Sequence, residues 1–402
     1  MRKRITVLGF FSEDIGLTCF FKTNYRALLA DGYEFNIINI ANYRPARELK
    51  HFGNYYEVPF YFTDIKDKHF LRKRRTFNRQ LHQVYRECLL NSDVIHLYLN
   101  MLCDPVPIVY ARRLGFDRVI VHAYSNFEGT MNLTSRQLQK VGRRMAEVYG
   151  TDFLAVTQGA ADFFFSSRIQ RSPRFKLLPD GIAVRKQRYH EEQNIYYRKR
   201  YDINENDFVI GNIGRFIDVK NQSFLVDSFN LFQKINPNAK LVLIGDGPKL
   251  EEVRQKVYQL HLEGRVIFTG YLENTEEVQN IFDVFAYPAE SGGLSLALLH
   301  SLANGAKAVV SQRQPAEVQT LGAVTALSID NPQSWADEFH SLSLETNNRF
   351  EQSYNTMNEL IEKGYTISTS TKLLRKLYGK PQLGDYHCDD YSWVYQASAW
   401  LA

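Results

Sequence analysis

Two cationic side chains follow one short apolar run in the second half of the sequence. Gly214 and Arg215 come directly after residues 208–213, and Lys220 with Asn221 follows five positions after the arginine. A guanidinium offers a planar fork of donors and an ammonium a compact charge, so a pair held at one strand end can bind a diphosphate. Taken alone the pair is a weak signal, but its neighbours along the chain strengthen the prediction of a phosphate site.

Glycine-rich turns follow two further apolar runs. Gly245, Asp246 and Gly247 come after residues 241–244, and the proline that follows them suits the first turn of a helix. This turn has two interpretations, a nucleotide contact and a tight strand-to-helix connection without a ligand. The second turn is the stronger signal, because two glycines open a helix whose N–H groups would face phosphates. Its residues are Glu290, Ser291, Gly292, Gly293, Leu294 and Ser295.

Two sets of strands and helices are available to position these turns. Nearly continuous apolar runs of strand length predict buried parallel strands at residues 5–10, 35–40, 94–98, 119–122, 153–157, 208–213, 241–244, 266–269, 284–287 and 308–311. Amphipathic stretches predict helices at residues 77–90, 105–114, 135–149, 223–234, 249–261, 295–303 and 332–342. The alternation predicts an α/β protein with two doubly wound domains in tandem.

The domain limits follow from a break in this rhythm. We predict a first Rossmann-like domain over residues 1–182, a hinge or linker over 183–204, and a second Rossmann-like domain, which carries the phosphate-binding turns, over 205–348. Helices over about residues 350–378 have no strands beside them, and we expect them to complete the first domain. A length of 402 residues is sufficient for two such cores.

Composition excludes several classes of protein. With 44% hydrophobic and 23% charged residues, the chain is typical of folded globular proteins. No apolar run approaches the roughly 20 residues that cross a bilayer, and we recognise no signal peptide. A net charge of +5 gives no argument for nucleic acid as a partner, and four widely spaced cysteines predict reduced thiols. We therefore expect a cytoplasmic protein.

Basic residues are concentrated between positions 66 and 79. Seven of them stand against one acid and are interleaved with apolar residues; they are Lys66, Lys68, Arg72, Lys73, Arg74, Arg75 and Arg79. Such a stretch has two interpretations, a solvated helix face and a surface that binds the anionic inner leaflet of the plasma membrane. The second would make the protein peripheral on that membrane.

The order of motifs from about residue 93 to residue 378 resembles family 4 glycosyltransferases of the GT-B fold, close to the bacterial capsular and exopolysaccharide type. The matching elements are Val119-Ile120-Val121-His122, Leu178-Pro179-Asp180-Gly181-Ile182, Asn212-Ile213-Gly214-Arg215-Phe216, Lys220-Asn221, the turn that starts at Gly245, Val266-Ile267-Phe268-Thr269-Gly270, Asp283-Val284-Phe285, Val309-Val310-Ser311 and Glu317. The resemblance implies two Rossmann-like domains facing across a cleft, with the C-terminal helix returning to the first.

The resemblance also implies an activity and the residues for it. A sugar would move, with retention and without a metal, from a nucleotide diphosphate sugar, expected to be a UDP-sugar, to a glycan or lipid-linked acceptor. The implied catalytic residues are His122, Arg215, Lys220 and Glu290, with His96 as a second candidate histidine. The implied donor-binding residues are Gly214, Arg215, Lys220, Asn221, Gly245, Asp246, Gly247, Gly292, Gly293, Leu294, Ser295 and His300. No cofactor is implied beyond the donor substrate.

One departure from the family pattern concerns its pair of glutamates. Aligned without gaps, their positions are occupied by Gly292 and His300, although Glu290 could reach in from upstream and His300 could hydrogen-bond a ribose hydroxyl. The glycine-rich loop of the first domain is also altered, to Ser12-Glu13-Asp14-Ile15-Gly16. Two alternatives follow: a catalytically degenerate partner that binds a glycan or a sister glycosyltransferase, and a nucleotide-sugar epimerase of the same two-domain plan.

Overall fold

The chain folds into two parallel β-sheets flanked by helices. The computed structural model describes residues 3–13, 16–59, 69–124, 131–291, 294–346 and 348–379. The first sheet contains β1 (Lys3–Gly9), β2 (Tyr33–Asn39), β3 (Gly53–Glu57), β4 (Val94–Leu99), β5 (Arg118–Ala123), β6 (Asp152–Ala155) and β7 (Phe175–Leu177). The second contains β8 (Phe208–Ile213), β9 (Ala239–Ile244), β10 (Val266–Gly270), β11 (Val284–Tyr287), β12 (Lys307–Ser311) and β13 (Val324–Leu327). This architecture confirms the prediction of an α/β protein with two Rossmann-like domains.

Helices connect the strands of each sheet. Those around the first are α1 (Gly16–Ala30), α2 (Phe70–Leu89), α3 (Val106–Leu114), α4 (Leu133–Tyr149), α5 (Gln158–Phe164) and α6 (Ser167–Gln170). They are followed by α7 (Glu191–Arg200), α8 (Gln222–Phe232), α9 (Leu250–Gln259), α10 (Leu296–Ala303), α11 (Ala316–Gln319), α12 (Pro332–Ser343), α13 (Arg349–Glu362) and α14 (Ile367–Tyr378). No helix in these described ranges is long and apolar enough to cross a membrane.

Each sheet changes the direction of its strand order at one point. The first runs β3-β2-β1-β4-β5-β6-β7 and the second β10-β9-β8-β11-β12-β13. The reversals therefore lie between β1 and β4 and between β8 and β11. In open parallel sheets, ligands bind outside the carboxyl ends of the strands at such points. The loops after β8 and β11 are accordingly the first place to look for a site.

Apolar side chains cover both faces of each sheet, as parallel sheets require. In β1, Ile5 and Val7 join a cluster under α1 and α14, whereas Leu8 joins a second cluster under α2 and α3. The second sheet has the same two-layer plan, with β9 contributing Val242 to one cluster and Leu243 to the other. Alternation along a strand thus builds one core on each side of the sheet.

The last helix returns to the first domain, as predicted. Tyr378 of α14 is 1% exposed and lies in the cluster that contains Tyr25 of α1. Helix α13 instead packs on α10 of the second domain, where the Ser353 hydroxyl donates to the Ala303 carbonyl at 2.7 Å. Of the helices over residues 350–378 that we expected to complete the first domain, only α14 therefore packs on it, because the buried face of α13 matches the second core.

The predicted linker, residues 183–204, is folded onto the second domain. It contains a short 3-10 helix, Val184–Gln187, and α7. Tyr197 of α7 donates from its hydroxyl to Glu277 at 2.7 Å and is buried in the second core. The chain crosses between the domains twice, side by side, since Ile182 pairs with Thr366 in an isolated bridge. Bending between the domains is therefore expected at these crossings rather than along α7.

Candidate functional site

Three turns meet at the carboxyl ends of the central strands of the second sheet. The backbone N–H of Phe216, after β8, donates to the Asp246 carbonyl after β9 at 2.9 Å. On the other side, the N–H of Glu290, after β11, donates to the Val219 carbonyl at 2.9 Å. The turn between β8 and α8 is therefore held between the other two, at the point where the strand order reverses.

The glycines after β9 are required by this contact. Gly245 has φ +139° and Gly247 has φ +154°, which side chains of L-residues rarely permit. A Cβ on Gly245 would lie 2.1 Å from the Gly214 carbonyl oxygen, and one on Gly247 would lie 2.4 Å from the Phe216 oxygen. Both glycines therefore position the turn that carries Arg215, and Asp246 between them is exposed. Their role in binding a nucleotide stays a prediction.

The two predicted phosphate-binding cations contact tyrosines. Arg215 is half-buried, and its guanidinium carbon lies 5.7 Å from the ring centre of Tyr43, which belongs to the first domain. Lys220 donates from Nζ to the Tyr287 hydroxyl at 2.5 Å and lies 4.9 Å from the ring centre. Among the described residues Lys220 has no carboxylate partner. Its ammonium is thus oriented by a neutral group and keeps its charge available for an anion.

Gly214 and Asn221 flank this turn. A Cβ at Gly214 would meet only side-chain atoms of Gln222 and Lys220, at 3.7 and 3.9 Å, so space is open above the turn. Asn221 has the left-handed backbone φ 53°, ψ 40°, a conformation that asparagine tolerates better than most residues. Its backbone therefore redirects the chain into α8. This conformation is sufficient to explain an asparagine at position 221, and no contact with a ligand is needed to explain it.

The turn after β11 leads into α10. Glu290 is exposed, Leu294 packs against the second core, and the Ser295 hydroxyl caps the helix by accepting from the Leu298 N–H at 3.3 Å. Gly292 and Gly293 lie outside the described residues. Capped in this way, α10 directs its amino-terminal N–H groups toward the carboxyl edge of β11.

His300 of α10 is partly buried, and burial lowers its pKa. The charge of Glu276 acts in the opposite direction on this pKa. Glu276 is exposed at the end of the loop after β10, and its charge also raises the pKa of Cys19 on α1 of the first domain. The charge of Glu276 thus acts on the pKa of one residue in each domain. Sequence reasoning missed it, because no spacing links Glu276 to the turn after β11.

On the first domain, His122 lies near the end of β5 as expected, but its ring is completely buried. The catalytic role that the resemblance implies would instead require the His122 ring to reach the bound sugar. Its Nδ1 is 3.1 Å from Nε2 of His96, and its Nε2 has no partner among the described residues. Burial lowers the pKa of His122 to about 3, so the imidazole is neutral at physiological pH. Its assignment to the donor sugar stays a prediction.

Asp180 is a buried acid that the sequence analysis quoted only as part of a motif. Its carboxyl is 3% exposed, and Oδ2 accepts from the Tyr124 hydroxyl at 2.5 Å. Its Oδ1 has no partner in the described part of the chain. Burial raises the pKa of Asp180 to about 7, partly offset by the Tyr124 hydrogen bond. Because the ring of Tyr124 packs on His122, with centres 6.1 Å apart, the acid and the histidine belong to one cluster.

The two domains touch across the opening that separates these groups. Besides the stacking of Arg215 on Tyr43, the backbone N–H of Gln158 at the start of α5 donates to Glu317 of α11 at 2.5 Å. Within the described ranges, no group of three or more His, Cys, Asp or Glu side chains could hold a metal ion. The predicted residues of the second domain that the structure describes thus lie on the turns after β8, β9 and β11 and on α10, whereas His122 is buried within the first domain.

Comparison with known proteins shows what this chain is similar to. Residues 194–365 match the family model described as "Glycosyl transferases group 1". The chain is 29% identical over 230 residues to "Putative glycosyltransferase EpsF" of Bacillus subtilis (strain 168), covering 56% of this chain and 60% of that protein. It is 31% identical over 118 residues to "N-acetyl-alpha-D-glucosaminyl L-malate synthase" of Bacillus anthracis, covering 29% of this chain and 30% of that protein. The chain therefore spans less than two thirds of these relatives.

A solved structure extends the likeness in fold to nearly the whole chain. Anabaena Alr3699/HepE, crystallised in complex with UDP and glucose, is 16% identical, with a TM-score of 0.72 and coverage of 92% of this chain and 98% of that one. At this identity the similarity is one of architecture. The protein has the GT-B fold, as the motif order predicted, and its second half is similar to group 1 glycosyltransferases.

Proposed function

We propose that this protein is a glycosyltransferase that moves a sugar from a nucleotide diphosphate sugar, expected to be a UDP-sugar, to a glycan or lipid-linked acceptor. The match of residues 194–365 to group 1 glycosyltransferases supports the activity. The similarity in fold to HepE, whose crystal structure contains UDP and glucose, supports the choice of donor. The order of motifs, which resembles capsular and exopolysaccharide transferases, supports a role in cell-surface polysaccharide synthesis.

One observation carries the proposal: Arg215 and Lys220 lie on the turn after β8, where the strand order reverses and beside the amino terminus of α10. A diphosphate bound there would receive a guanidinium fork, an ammonium and helix N–H groups. These groups supply the charge compensation that a leaving nucleotide needs, so the proposed reaction requires no metal.

The proposed step retains the configuration of the sugar. The bond between its anomeric carbon and the β-phosphate oxygen breaks, and the acceptor oxygen forms a bond to the same carbon on the same face. The proton of the acceptor hydroxyl passes to the departing phosphate oxygen, giving a nucleoside diphosphate and a glycoside. Arg215 and Lys220 would stabilise the developing phosphate charge, and His122 would orient the sugar without attacking it.

A screen of UDP-, GDP- and ADP-sugars for release of the nucleoside diphosphate tests the proposal. We expect one donor to be used, and Arg215→Ala or Lys220→Ala to lower kcat/KM roughly 10- to 150-fold, as loss of a charge-assisted hydrogen bond implies. Arg254→Ala and Lys240→Ala are matched controls, because Arg254 also stacks on a ring, Phe268, and Lys240 lies at the amino end of β9. Unchanged turnover in both test variants would refute this phosphate site.

A degenerate partner protein is the second candidate, favoured by Gly292 and His300 at the positions of the family's glutamates. It predicts a folded protein that neither binds nor cleaves any nucleotide sugar but retains affinity for a glycan or a sister transferase. Glu276, close enough to act on the pKa of His300, favours the enzyme, because it can supply a carboxylate on that side of the opening. Glu276→Gln should therefore weaken donor use under the enzyme hypothesis and change nothing under the partner hypothesis.

For a lipid-linked acceptor, we propose that α2 docks on the inner leaflet. Lys66 and Lys68 lie outside the described residues, and Arg74 is paired with Asp104. Arg72 and Arg75 are exposed, beside Leu71 with 70% exposure, and provide the charge and apolar contact that an interfacial helix uses. Arg72→Gln with Arg75→Gln should reduce flotation with anionic liposomes, and Arg168→Gln with Arg171→Gln should not. Equal flotation of both double variants would contradict the docking.

A further inference from the structure

Five polar rings form a continuous buried chain on one face of the first sheet. They are Tyr25 of α1, His96 and Tyr98 of β4, His122 of β5 and Tyr378 of α14, all between 0% and 2% exposed. The register pairs Tyr98 with His122, and residues two apart in a strand share a face. The three rings of β4 and β5 therefore point to the same side, where α1 and α14 cover them.

Hydrogen bonds connect these rings in one order. The Tyr98 and Tyr25 hydroxyls are 2.9 Å apart, and the Tyr25 and Tyr378 hydroxyls are 2.6 Å apart. Tyr378 is 2.6 Å from Nδ1 of His96, and Nε2 of His96 is 3.1 Å from Nδ1 of His122. A longer contact of 3.4 Å joins Tyr25 to Nδ1 of His96. The chain ends at Nε2 of His122, which is buried and has no partner among the described residues.

Both imidazoles are neutral, so each carries a single N–H. Burial lowers the pKa of His122 to about 3, and burial together with the neighbouring His122 lowers the pKa of His96 well below its ordinary value. With one proton on each ring, the hydrogen bond between the two imidazoles can run in two directions, from His96 to His122 or from His122 to His96. The two directions place the proton of His122 on different nitrogens.

If the protons point from tyrosines to histidines, Tyr98 donates to Tyr25, Tyr25 to Tyr378, and Tyr378 to His96. His96 then donates from Nε2 to Nδ1 of His122, whose own proton must be on Nε2. Every hydroxyl proton and the His96 proton are then used in a hydrogen bond. The one remaining donor is Nε2–H of His122.

If the bond between the imidazoles runs the other way, His122 donates from Nδ1, His96 donates from its own Nδ1 to Tyr378, and one of the three tyrosine hydroxyl protons is left over. Among the described residues these hydroxyls bond one another and Nδ1 of His96, which is then protonated, so the leftover hydroxyl proton has no acceptor. Both directions thus leave one buried donor without a partner among the described residues. In the first direction it is Nε2–H of His122, near the carboxyl end of β5, where an oxygen atom of water or of a ligand can accept it, whereas in the second it is a hydroxyl enclosed under α1 and α14. The first direction is therefore favoured.

We propose that Tyr378 acts as a positioning residue: through His96 it holds His122 as the tautomer protonated on Nε2, so that His122 donates a hydrogen bond to an oxygen atom of the bound sugar. The C-terminal helix would thus set the chemistry of a residue that it does not touch. His122 would recognise a hydroxyl or ring oxygen and could not act as a base. The role of the sugar rests on the proposed function, whereas the tautomer does not.

Nitrogen-15 NMR of the intact protein, labelled at its ten histidines, tests the tautomer without any substrate. His122 and His96 are assigned by loss of their signals in His122→Gln and His96→Gln. We expect two-bond couplings that show a proton on Nε2 and none on Nδ1 for both rings. A proton on Nδ1 of His122 would overturn the proposal, whatever the protein does with nucleotide sugars.

The role of Tyr378 is tested by the double variant Tyr25→Phe with Tyr378→Phe, because Tyr25 is close enough to replace Tyr378 as the donor to His96. We expect the Nδ1–H tautomer of His122 to appear and kcat/KM for the donor sugar to fall about tenfold, the equivalent of one hydrogen bond. Tyr33→Phe is the control, since Tyr33 bonds the Gly379 carbonyl and packs on Tyr378 outside the chain of rings. A single Nε2–H tautomer that persists in the double variant would contradict the role of Tyr378.

Discussion

Replacing Asp180 by asparagine removes an ionisation that the fold makes costly. Burial raises the pKa of this carboxyl from an ordinary 3.8 to about 7, and its Oδ1 has no partner within the described residues. Because the folded state holds its proton more tightly than the unfolded chain, wild-type stability falls as the pH rises from about 4 to 7 and stays lower above that. The asparagine of the Asp180→Asn variant would still accept the Tyr124 hydrogen bond and would not titrate.

The magnitude follows from the two pKa values. The pKa of Asp180 differs by about three between the folded and unfolded states, and each pKa unit corresponds to 1.36 kcal/mol, so ionisation lowers the stability of the wild type by at most about 4 kcal/mol. About 3 kcal/mol of this loss occurs between pH 5 and pH 8. The carboxyl influences the pKa values of Tyr98, Tyr124 and Cys19, and all three groups are neutral over this range because each pKa is raised from an ordinary value that already lies above it. They do not add a titration of their own.

Urea unfolding of the wild type and of Asp180→Asn at several pH values measures this effect. The free energy of unfolding of the variant should rise relative to that of the wild type as the pH increases. Terms that do not depend on pH, such as the unpaired amide that the substitution introduces, cancel when the difference at pH 8 is compared with the difference at pH 5. A difference that stays constant over this range would refute the raised pKa.

Three further predictions concern the second domain. Gly245→Ala should lower the melting temperature and weaken donor binding, because the alanine Cβ would lie 2.1 Å from the Gly214 carbonyl oxygen. Gly264→Ala is the control and should change neither property, because a Cβ at Gly264 would meet no atom within 4 Å. Tyr287→Phe should raise KM for the donor by about tenfold with little change in melting temperature, since it removes the hydroxyl that orients Lys220. Ser295→Ala should cost about 1 kcal/mol of unfolding free energy, measured by urea unfolding, through loss of the cap on α10; an unchanged unfolding midpoint would contradict this.

Strands buried on both faces were predictable from the sequence because they are continuous apolar runs. β8 and β11 match their predicted limits, at Phe208–Ile213 and Val284–Tyr287. Three edge strands were missed because they are short, with three to five residues each. They are β3, Gly53–Glu57, β7, Phe175–Leu177, and β13, Val324–Leu327. The apolar pattern reports burial, so it detects the central strands, and of the four edge strands of the two described sheets it detected β10 alone.

The site was predictable only where its charged residues lie close together on one turn. Arg215 and Lys220 lie close together along the chain, so their spacing revealed them. The contact of Arg215 with Tyr43 and the link from Tyr378 to His122 join residues far apart in sequence, and no local pattern encodes them. Gly245 was predicted as a nucleotide contact, whereas its backbone angles and its approach to the neighbouring turn already explain the glycine.

Calorimetric titration with UDP and UDP-sugars tests the central claim most directly, because the claim is that a diphosphate binds at the turn after β8. We predict that the wild type binds at least one of these ligands, that Lys220→Ala and Arg215→Ala each weaken binding about tenfold or more, and that Lys240→Ala binds like the wild type. Binding by both site variants that equals the wild-type affinity, or failure of the folded wild type to bind any nucleotide sugar, would contradict it.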